Sequence, residues 1–266
     1  MKSIYIKICD EGWIIEQLAS RLTRELDDVA YGLDDRSGAT LCYHLPYLTY
    51  ARRTAPRVAG FFTHIEADEE RRAKFWAAAR DFDHCTCQSL RYAEAMVQKG
   101  VSAVSVISPG VDLDFFRPEV RIGVVGRTYD SGRKGEAIIA QLLDLPGIRW
   151  SFTGRGWPGG GRMIDVSGMP AFYNDQDYIL ISSLYEGGPM CMLEALACGK
   201  EVIAPPIGWV EEFPHIEYPT GDVEALRRIL LGLVAKRQAL REHVMTRTWR
   251  AWVDEHDLLF QALLRA

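Results

Sequence analysis

Two glutamates are spaced around a turn in a way that could serve chemistry. Glu186 lies just before Gly187-Gly188-Pro189, and Glu194 follows within MLEALA, a run of good helix formers. At 3.6 residues per turn, Glu194 would lie roughly two helical turns beyond Glu186. A carboxylate there can accept two hydrogen bonds from a vicinal diol such as that of a ribose. A surface glutamate on a helix would give the same local pattern.

The turn between the two glutamates could also hold an anion. Gly187 and Gly188 permit close approach of the backbone to a ligand. With Pro189 at the first helical position, the amides of Met190 and Cys191 would be free to donate to an anion at the positive end of the helix.

A pair of basic residues precedes this region in the chain. Arg127 comes directly after the apolar run RIGVVG, and Lys134 and Gly135 open the next predicted helix. Arginine offers a planar fork of donors and lysine a mobile point charge, so together they can neutralise two phosphates. The pattern is also compatible with a solvated loop pair.

These residues must be positioned by secondary structure, and the chain alternates strand-like and helix-like runs. The strand-like runs of the first half are SIYIKI, TLCYHL, VAGFFTH, HCTCQS and SAVSVIS, with helices predicted at IIEQLASRLTREL, 68–80 and 89–99. The second half has strand-like runs RIGVVGR, RWSFTG, MIDVSG, YILISS and EVIAPP, with helices predicted at 134–143, 189–198 and 222–235. The alternation predicts parallel, doubly wound sheets.

The break SPGVDLDFFRPEV separates the two series and predicts two domains, 1–118 and 119–247. The apolar tail predicts a helix over 248–266, which we expect to join the first domain. Ligands of open parallel sheets bind outside the carboxyl ends of strands, so residues that follow strands are expected to face a cleft between the domains.

Composition limits the class of protein. The 266 residues are 48% hydrophobic, carry a net charge of −5, and show no basic excess in either half that would indicate a polyanion-binding surface. The six cysteines include no CxxC pair and are expected to be mostly buried free thiols. No apolar run approaches 18 residues, and the N-terminus reads as a first strand rather than a signal peptide. We expect a cytoplasmic protein with at most peripheral membrane contact.

Taken together, the motifs resemble the retaining glycosyltransferases of GT-B architecture, a group that includes glycogen-synthase-like and lipopolysaccharide-building enzymes. The Glu-x7-Glu signature of that family is EGGPMCMLE here, and its interdomain marker is similar to SPGVDLDFFRP. The family's phosphate ligands look like Arg127 and Lys134 in VGRTYDSGRKG. The resemblance covers most of the second half. It implies an α/β fold with two Rossmann-like domains facing across a cleft, a reduced acceptor-side domain first and a donor-binding domain second.

The resemblance implies transfer of a sugar from a nucleotide diphosphate sugar to an acceptor hydroxyl, with retention and without a metal. Glu186 would contact the transferred sugar and Glu194 the ribose, while Arg127 and Lys134 would stabilise the leaving diphosphate. The segment from Gly187 to Cys191 would seat the sugar and its phosphate.

Two residues of the first half enter through the resemblance. His64, in FFTHIE, looks like the family histidine that contacts the sugar, although a structural histidine at a strand end is the alternative. Gly12, in CDEGW, is what remains of the family's glycine-rich loop near the donor phosphate. We expect a structural role for His44.

The donor is expected to be a UDP-sugar rather than a GDP-sugar, with its base near Gly154 and residues 163–168. The acceptor could be a glycan, a lipid-linked group or another hydroxyl. A base in DNA is a less favoured acceptor, suggested by the arginines Arg52, Arg53 and Arg57, which could equally bind an anionic lipid or a phosphorylated glycan or, as the preferred interpretation, only solvate a helix. A catalytically silent sugar-nucleotide-binding subunit is the alternative to an enzyme. Two Asp-x-Asp runs, at 112–114 and 175–177, lie away from the phosphate ligands, so no catalytic metal is expected.

Overall fold

The structure is a computed structural model that describes residues 2–34 and 38–266. The chain divides into two α/β units. Unit 1 comprises residues 1–116 and 244–266, and unit 2 comprises residues 117–243. The predicted class, α/β with two Rossmann-like parallel sheets, is confirmed, because the strands of both units pair in parallel throughout the described part of the chain.

Unit 1 contains a six-stranded parallel sheet in the order β2-β1-β3-β4-β5-β6. Its strands are β1 Ile4–Lys7, β2 Val29–Gly32, β3 Leu41–His44, β4 Arg57–Phe62, β5 His84–Cys87 and β6 Val104–Val106. Its helices are α1 Ile14–Glu25, α2 Glu69–Asp81, α3 Leu90–Gln98 and α8 Trp249–Arg265.

Both faces of this sheet are covered, as the alternation of apolar residues along β4 illustrates. Ala59 and Phe61 belong to a core that includes residues of α1 and α8, whereas Val58 and Phe62 belong to one that includes residues of α2 and α3. Successive side chains of a strand point to opposite faces, so one strand serves two cores. The tail helix α8 therefore packs within unit 1, with Trp252 among its buried residues.

Unit 2 contains a five-stranded parallel sheet in the order β11-β10-β9-β7-β8. Its strands are β7 Val120–Val124, β8 Ile148–Phe152, β9 Tyr178–Leu180, β10 Glu201–Ala204 and β11 Ile216–Glu217. Its helices are α4 Glu136–Ala140, α5 Met169–Asn174, α6 Met190–Ala197 and α7 Val223–Glu242.

The strand order of unit 2 reverses between β7 and β9. From β7 the chain passes to β8 on one side, and the next strand, β9, lies on the other side of β7. Helices packed on opposite faces leave a crevice at such a switch point, outside the carboxyl ends of the strands. Ligands of open α/β sheets bind in that crevice.

Helix starts are set by local capping. Four helices, α2, α3, α7 and α8, begin after a residue whose side chain accepts a backbone N–H of the first turn; these are Asp68, Ser89, Asp222 and Thr248. Side-chain oxygens at this position satisfy donors that have no partner within the helix.

Three predicted elements are wrong in part. MIDVSG is not a strand: it is irregular up to the short 3-10 turn Val166–Gly168, because Met163 and Val166 remain exposed and bury no face. Helix α4 begins after Gly135, so Lys134 precedes the helix rather than opening it. Pro189 is the N-cap of α6, and Met190 is the first helical residue.

The six cysteines are free, as expected, but not uniformly buried. Cys42, Cys85 and Cys87 are buried, Cys191 and Cys198 are half-buried, and Cys9 is exposed. Within residues 2–34 and 38–266, no helix has the length and apolar character needed to cross a membrane.

Candidate functional site

The carboxyl ends of β7 and β9 carry the two loops in which the sequence places its charged motifs. Arg127 lies three residues after the end of β7, and Glu186 lies in the loop between β9 and α6. These strands are neighbours and flank the switch point of unit 2. The topology therefore brings two sequence-distant motifs to the same edge of one sheet.

The two loops are joined by direct contacts. The amide of Leu184 donates to the carbonyl of Arg133 at 2.8 Å, and the hydroxyl of Ser182 donates to the carbonyl of Lys134 at 2.7 Å. Gly135 has a left-handed φ of 74°, and a Cβ on it would come within 2.0 Å of the Ser182 carbonyl oxygen. Only glycine fits this position, so its identity fixes how closely the loops approach.

Glu186 lies between two cations. Arg133 Nη1 is 2.8 Å from Glu186 Oε2, and Lys134 Nζ contacts Glu186 Oε1. The hydroxyl of Ser183 also donates to Oε1, at 3.0 Å. The Glu186 and Lys134 side chains are only 11% and 16% exposed, so these ion pairs are largely shielded from solvent.

The protonation state of Glu186 follows from these partners. Burial by itself raises the pKa of the carboxyl, but the hydrogen bonds from Lys134, Arg133 and Ser183 outweigh burial and hold the pKa below its usual range. Glu186 is therefore a carboxylate at neutral pH.

Tyr129 connects this ion-pair group to Arg127. The guanidinium carbons of Arg127 and Arg133 lie 4.9 and 4.3 Å from the centre of the Tyr129 ring. Hydrogen bonds from Arg127 and then Arg133 lower the pKa of the Tyr129 hydroxyl. Arg127, Tyr129, Arg133, Glu186 and Lys134 thus form a continuous chain of contacts.

A cavity of about 440 Å³ opens beside Arg127. Its wall brings together an arginine from the β7 loop and Glu194 from α6, with further lining from Gly126, Gly154, Met163 and Ile164. This volume lies within the range of small-molecule sites. The wall contains Gly154 and part of the 163–168 segment, where a nucleotide base is expected.

Glu194 is exposed, yet one of its carboxylate oxygens is anchored. The hydroxyl of Tyr173, which is buried in α5, donates to Glu194 Oε2. Burial of Tyr173 and this bond both raise the pKa of the phenol, so it remains a donor. The anchor fixes the orientation of Glu194 on the cavity wall.

The charged residues converge on the start of α6. Burial raises the pKa of the Cys191 thiol to about 12, and the charges of Lys134, Glu194 and Glu186 also act on it. These three charged groups are therefore near enough to act on Cys191, which lies in the first turn of α6. A helix N-terminus carries a partial positive charge, which favours an anion there.

The glycine turn before α6 is closely packed on one side. A Cβ on Gly188 would come within 1.0 Å of Trp209 Nε1, whereas one on Gly187 would meet nothing within 4 Å. Gly188 is thus required for packing, and Gly187 leaves open space next to Glu186.

Two predicted site residues lie in unit 1. His64 follows β4, is 58% exposed on its side chain, and has Nε2 3.7 Å from Glu66 Oε2. Its Nδ1 lies 2.8 Å from the Thr63 hydroxyl. Gly12 precedes α1 with a left-handed φ of 83°, and its amide donates to Glu16 Oε2 at 2.6 Å.

His44 has structural surroundings, as predicted. It is buried, stacks on Phe82, and its Nδ1 lies 2.7 Å from the Thr49 hydroxyl. Among the three arginines that suggested a DNA acceptor, Arg53 forms a 2.8 Å ion pair with Asp83 and so contributes to packing in unit 1.

Both Asp-x-Asp runs make contacts with other groups of the protein. Asp112 Oδ1 accepts the amides of Asp114 and Phe115 at 3.0 Å in a turn. Asp175 and Asp177 pair with Arg121 at 3.0 and 3.7 Å. Residues 2–34 and 38–266 contain no group of three metal-ligating side chains. Metal independence stays a prediction.

Three residues of the site were missed by the sequence reasoning: Arg133, Tyr129 and Tyr173. Arg133 is adjacent to Lys134, and two consecutive cations after a glycine were a usable signal. Tyr129 lies between Arg127 and Arg133 in the same loop. Tyr173 gave no signal, because it lies 21 residues from Glu194 in the chain.

Comparison with solved structures finds similarity to several glycosyltransferase structures. Sucrose-phosphate synthase from Thermosynechococcus elongatus is 19% identical over 96% of this chain and 80% of that chain, with a TM-score of 0.38. HepE from Anabaena, in complex with UDP, is 14% identical over 99% of this chain and 100% of that chain, with a TM-score of 0.42. The lipopolysaccharide outer core galactosyltransferase WaaB is 13% identical over 99% of this chain and 100% of that chain, with a TM-score of 0.40.

No protein-family model matches the chain, and neither does any curated protein. With TM-scores below 0.5, these structural similarities carry no functional argument.

Proposed function

We propose that the protein is a retaining glycosyltransferase that moves a sugar from a nucleotide diphosphate sugar, with a UDP-sugar expected, to an acceptor hydroxyl. The observation that carries this proposal is the cavity at the switch point of unit 2, whose wall holds both Arg127 and Glu194. A cation and a carboxylate on one wall suit a ligand that contains both phosphate and a diol.

Four charged residues of unit 2 have roles in this proposal. Arg127 and Lys134 bind the diphosphate, and Glu194, held by Tyr173, accepts hydrogen bonds from the ribose hydroxyls. The first turn of α6 adds its partial positive charge beside the phosphate. Glu186 contacts a hydroxyl of the transferred sugar, next to the open space at Gly187.

The proposed reaction breaks the bond between the anomeric carbon and the phosphate oxygen, and forms a bond from the acceptor oxygen to the same face of that carbon. The acceptor proton passes to the departing phosphate. Negative charge on the leaving group increases during the step, so Arg127 and Lys134 stabilise the transition state more than the ground state. This charge balance requires no metal. His64 and Gly12 are proposed as sugar and phosphate contacts from unit 1.

A hydrolysis assay tests the proposal directly. Incubation with a panel of nucleotide sugars without acceptor is expected to release a nucleoside diphosphate slowly, and a suitable hydroxyl acceptor should accelerate this release. Nuclear magnetic resonance of the product should show the anomeric configuration of the donor.

Activity should survive EDTA. Loss of activity with EDTA and recovery with magnesium or manganese would overturn the phosphate assignment, and binding without turnover would favour the silent subunit.

Replacement of Glu186 separates catalysis from binding. Because Glu186 is assigned to the sugar rather than to the diphosphate, Glu186→Gln should reduce kcat by at least about tenfold while UDP affinity is not weakened. Steady-state kinetics and calorimetry on the same preparation measure the two quantities. An unchanged kcat in the folded variant would remove the assignment of Glu186 to the reacting sugar.

A further inference from the structure

Arg133 is the charged partner of Glu186 that the proposed function leaves without a role. Each carboxylate oxygen of Glu186 has its own cation: Arg133 at Oε2, with a distance of 2.8 Å, and Lys134 at Oε1. Without a ligand, the lysine assigned to the diphosphate is therefore occupied by the glutamate assigned to the sugar.

This arrangement creates a competition when a diphosphate binds. Lys134 must turn from Glu186 to reach a phosphate, and its departure removes one of two cations from a carboxylate that is 11% exposed. A shielded carboxylate that loses its only cation is strongly destabilised. A second cation on the other oxygen allows Lys134 to leave without that penalty.

We propose that Arg133 is a positioning residue that keeps Glu186 ionised and oriented while Lys134 transfers to the diphosphate. The inference rests on the proposed function, since it takes the ligand of Lys134 to be a phosphate. Arg133 is thereby added to the proposed donor site as a residue that acts through Glu186.

Arg133 is held in place for this role from three directions. Its carbonyl accepts the amide of Leu184, its guanidinium carbon lies 4.3 Å from the centre of the Tyr129 ring, and its Nη1 lies 2.8 Å from Glu186 Oε2. Its hydrogen bond to Glu186 is the largest cause that raises the pKa of the guanidinium. An arginine also matches a carboxylate better than a lysine does, because its donors form a planar fork.

A double-mutant cycle on UDP binding tests the proposal. Isothermal titration calorimetry would compare wild type, Arg133→Gln, Glu186→Gln and the double variant. In the wild-type background, Arg133→Gln should weaken UDP binding by about tenfold, because Glu186 then depends on Lys134 alone. In the Glu186→Gln background, the same change should weaken binding by less than about twofold.

The cycle distinguishes the inference from a direct phosphate contact. If Arg133→Gln weakens UDP binding by the same factor in the wild-type and Glu186→Gln backgrounds, Arg133 does not act through Glu186. The inference is then overturned, while the proposed function stands. If the wild-type protein binds no UDP and turns over no nucleotide sugar, the proposed function falls and the inference with it. Arg149→Gln, an exposed arginine of β8 in unit 2, is the matched control and should bind UDP as wild type does.

Two further measurements exclude a merely structural effect. Arg133→Lys keeps a cation near Glu186 and should restore UDP affinity to within about threefold of wild type. In Arg133→Gln, the acid limb of the turnover profile should shift to higher pH, because the carboxyl of Glu186 loses a hydrogen bond that lowers its pKa. An acid limb at the wild-type position in a folded Arg133→Gln protein would overturn the inference.

Discussion

Glu186 is held from two sides by side chains that are consecutive in the sequence. Arg133 and Lys134 reach its two carboxylate oxygens because the β7 loop is bonded to the β9 loop at Ser182 and Leu184. The sequence allowed the prediction that the cation and the carboxylate are close, since both follow strands. It did not allow the prediction that they pair, because that depends on backbone contacts between distant segments.

The contact between Glu194 and Tyr173, at the proposed ribose position, could also not be predicted from the sequence. Glu194 was identified from its spacing to Glu186, whereas its hydrogen-bond donor lies in a different helix. Glu194 is a surface glutamate on a helix, as the alternative expects, and its Oε2 also accepts the Tyr173 hydroxyl. Spacing along one helix is readable from sequence, but partners from another helix are not.

The ribose assignment predicts a selective effect of Glu194→Gln. Hydrogen bonds to a charged group contribute about 1.5 to 3 kcal/mol, so this variant should weaken UDP binding by about tenfold or more. Binding of 2′,3′-dideoxy-UDP, which lacks the diol, should change little. Calorimetry with both nucleotides measures the difference.

Glu201→Gln is the matched control, because Glu201 is exposed at the amino end of β10, the edge opposite the β7 and β9 loops. It should leave both affinities unchanged. Equal weakening of UDP and its dideoxy analogue by Glu194→Gln would argue against a diol contact.

At the scale of elements, most strands could be predicted from short apolar runs that alternate with helix-like segments. Such runs indicate parallel strands, because a strand buried on both faces is apolar along its whole length. β2 and β11 were not identified, since Val29–Gly32 ends in glycine and Ile216–Glu217 has only two residues. MIDVSG was wrongly predicted as a strand, because two of its three apolar residues, Met163 and Val166, remain at the surface. Helix α7 runs to Glu242, beyond the predicted end at 235.

Helix α8 shows how one element supports unit 1. Phe260 is fully buried in the core beside β1, β3 and β4, while Leu258 on the same helix is 67% exposed. Phe260→Ala should lower the free energy of unfolding of unit 1 by about 3 to 5 kcal/mol through lost burial and a cavity. Leu258→Ala, the matched control, should change it by less than about 0.5 kcal/mol. Urea denaturation followed by circular dichroism measures both, and similar midpoints would contradict the packing of α8.

At the scale of the whole molecule, the response to acid should reflect a buried histidine in unit 1. His256 of α8 is fully buried, its Nδ1 lies 2.9 Å from the Trp252 carbonyl, and its Nε2 lies 3.2 Å from the Tyr43 hydroxyl. The Phe260 ring lies edge-on to the imidazole at 5.7 Å, and the Tyr43 hydroxyl is itself 2.6 Å from the Thr86 hydroxyl. Burial lowers the pKa of His256 to about 4.

The lowered pKa predicts a loss of stability in acid. Between pH 6.5 and about 4 the unfolded chain binds a proton at His256 and the native protein does not. Stability should therefore fall as pH falls through this window, by up to about 1.4 kcal/mol per pH unit from this group. Denaturation from pH 7 to 4.5 should show a shallower slope for His256→Leu than for wild type. Exposed His243→Gln should keep the wild-type slope, and identical slopes in all three would contradict the buried neutral state.

The central claim is that Lys134 and Arg127 form a diphosphate site in unit 2, and calorimetry of UDP with Lys134→Ala tests it most directly. Charge-assisted hydrogen bonds contribute about 1.5 to 3 kcal/mol, so the variant should bind UDP at least about tenfold more weakly than wild type. It should remain folded by thermal melting, because Arg133 still pairs with Glu186. Lys236→Ala, an exposed lysine of α7, should bind as wild type. A folded Lys134→Ala protein with wild-type UDP affinity would contradict the claim.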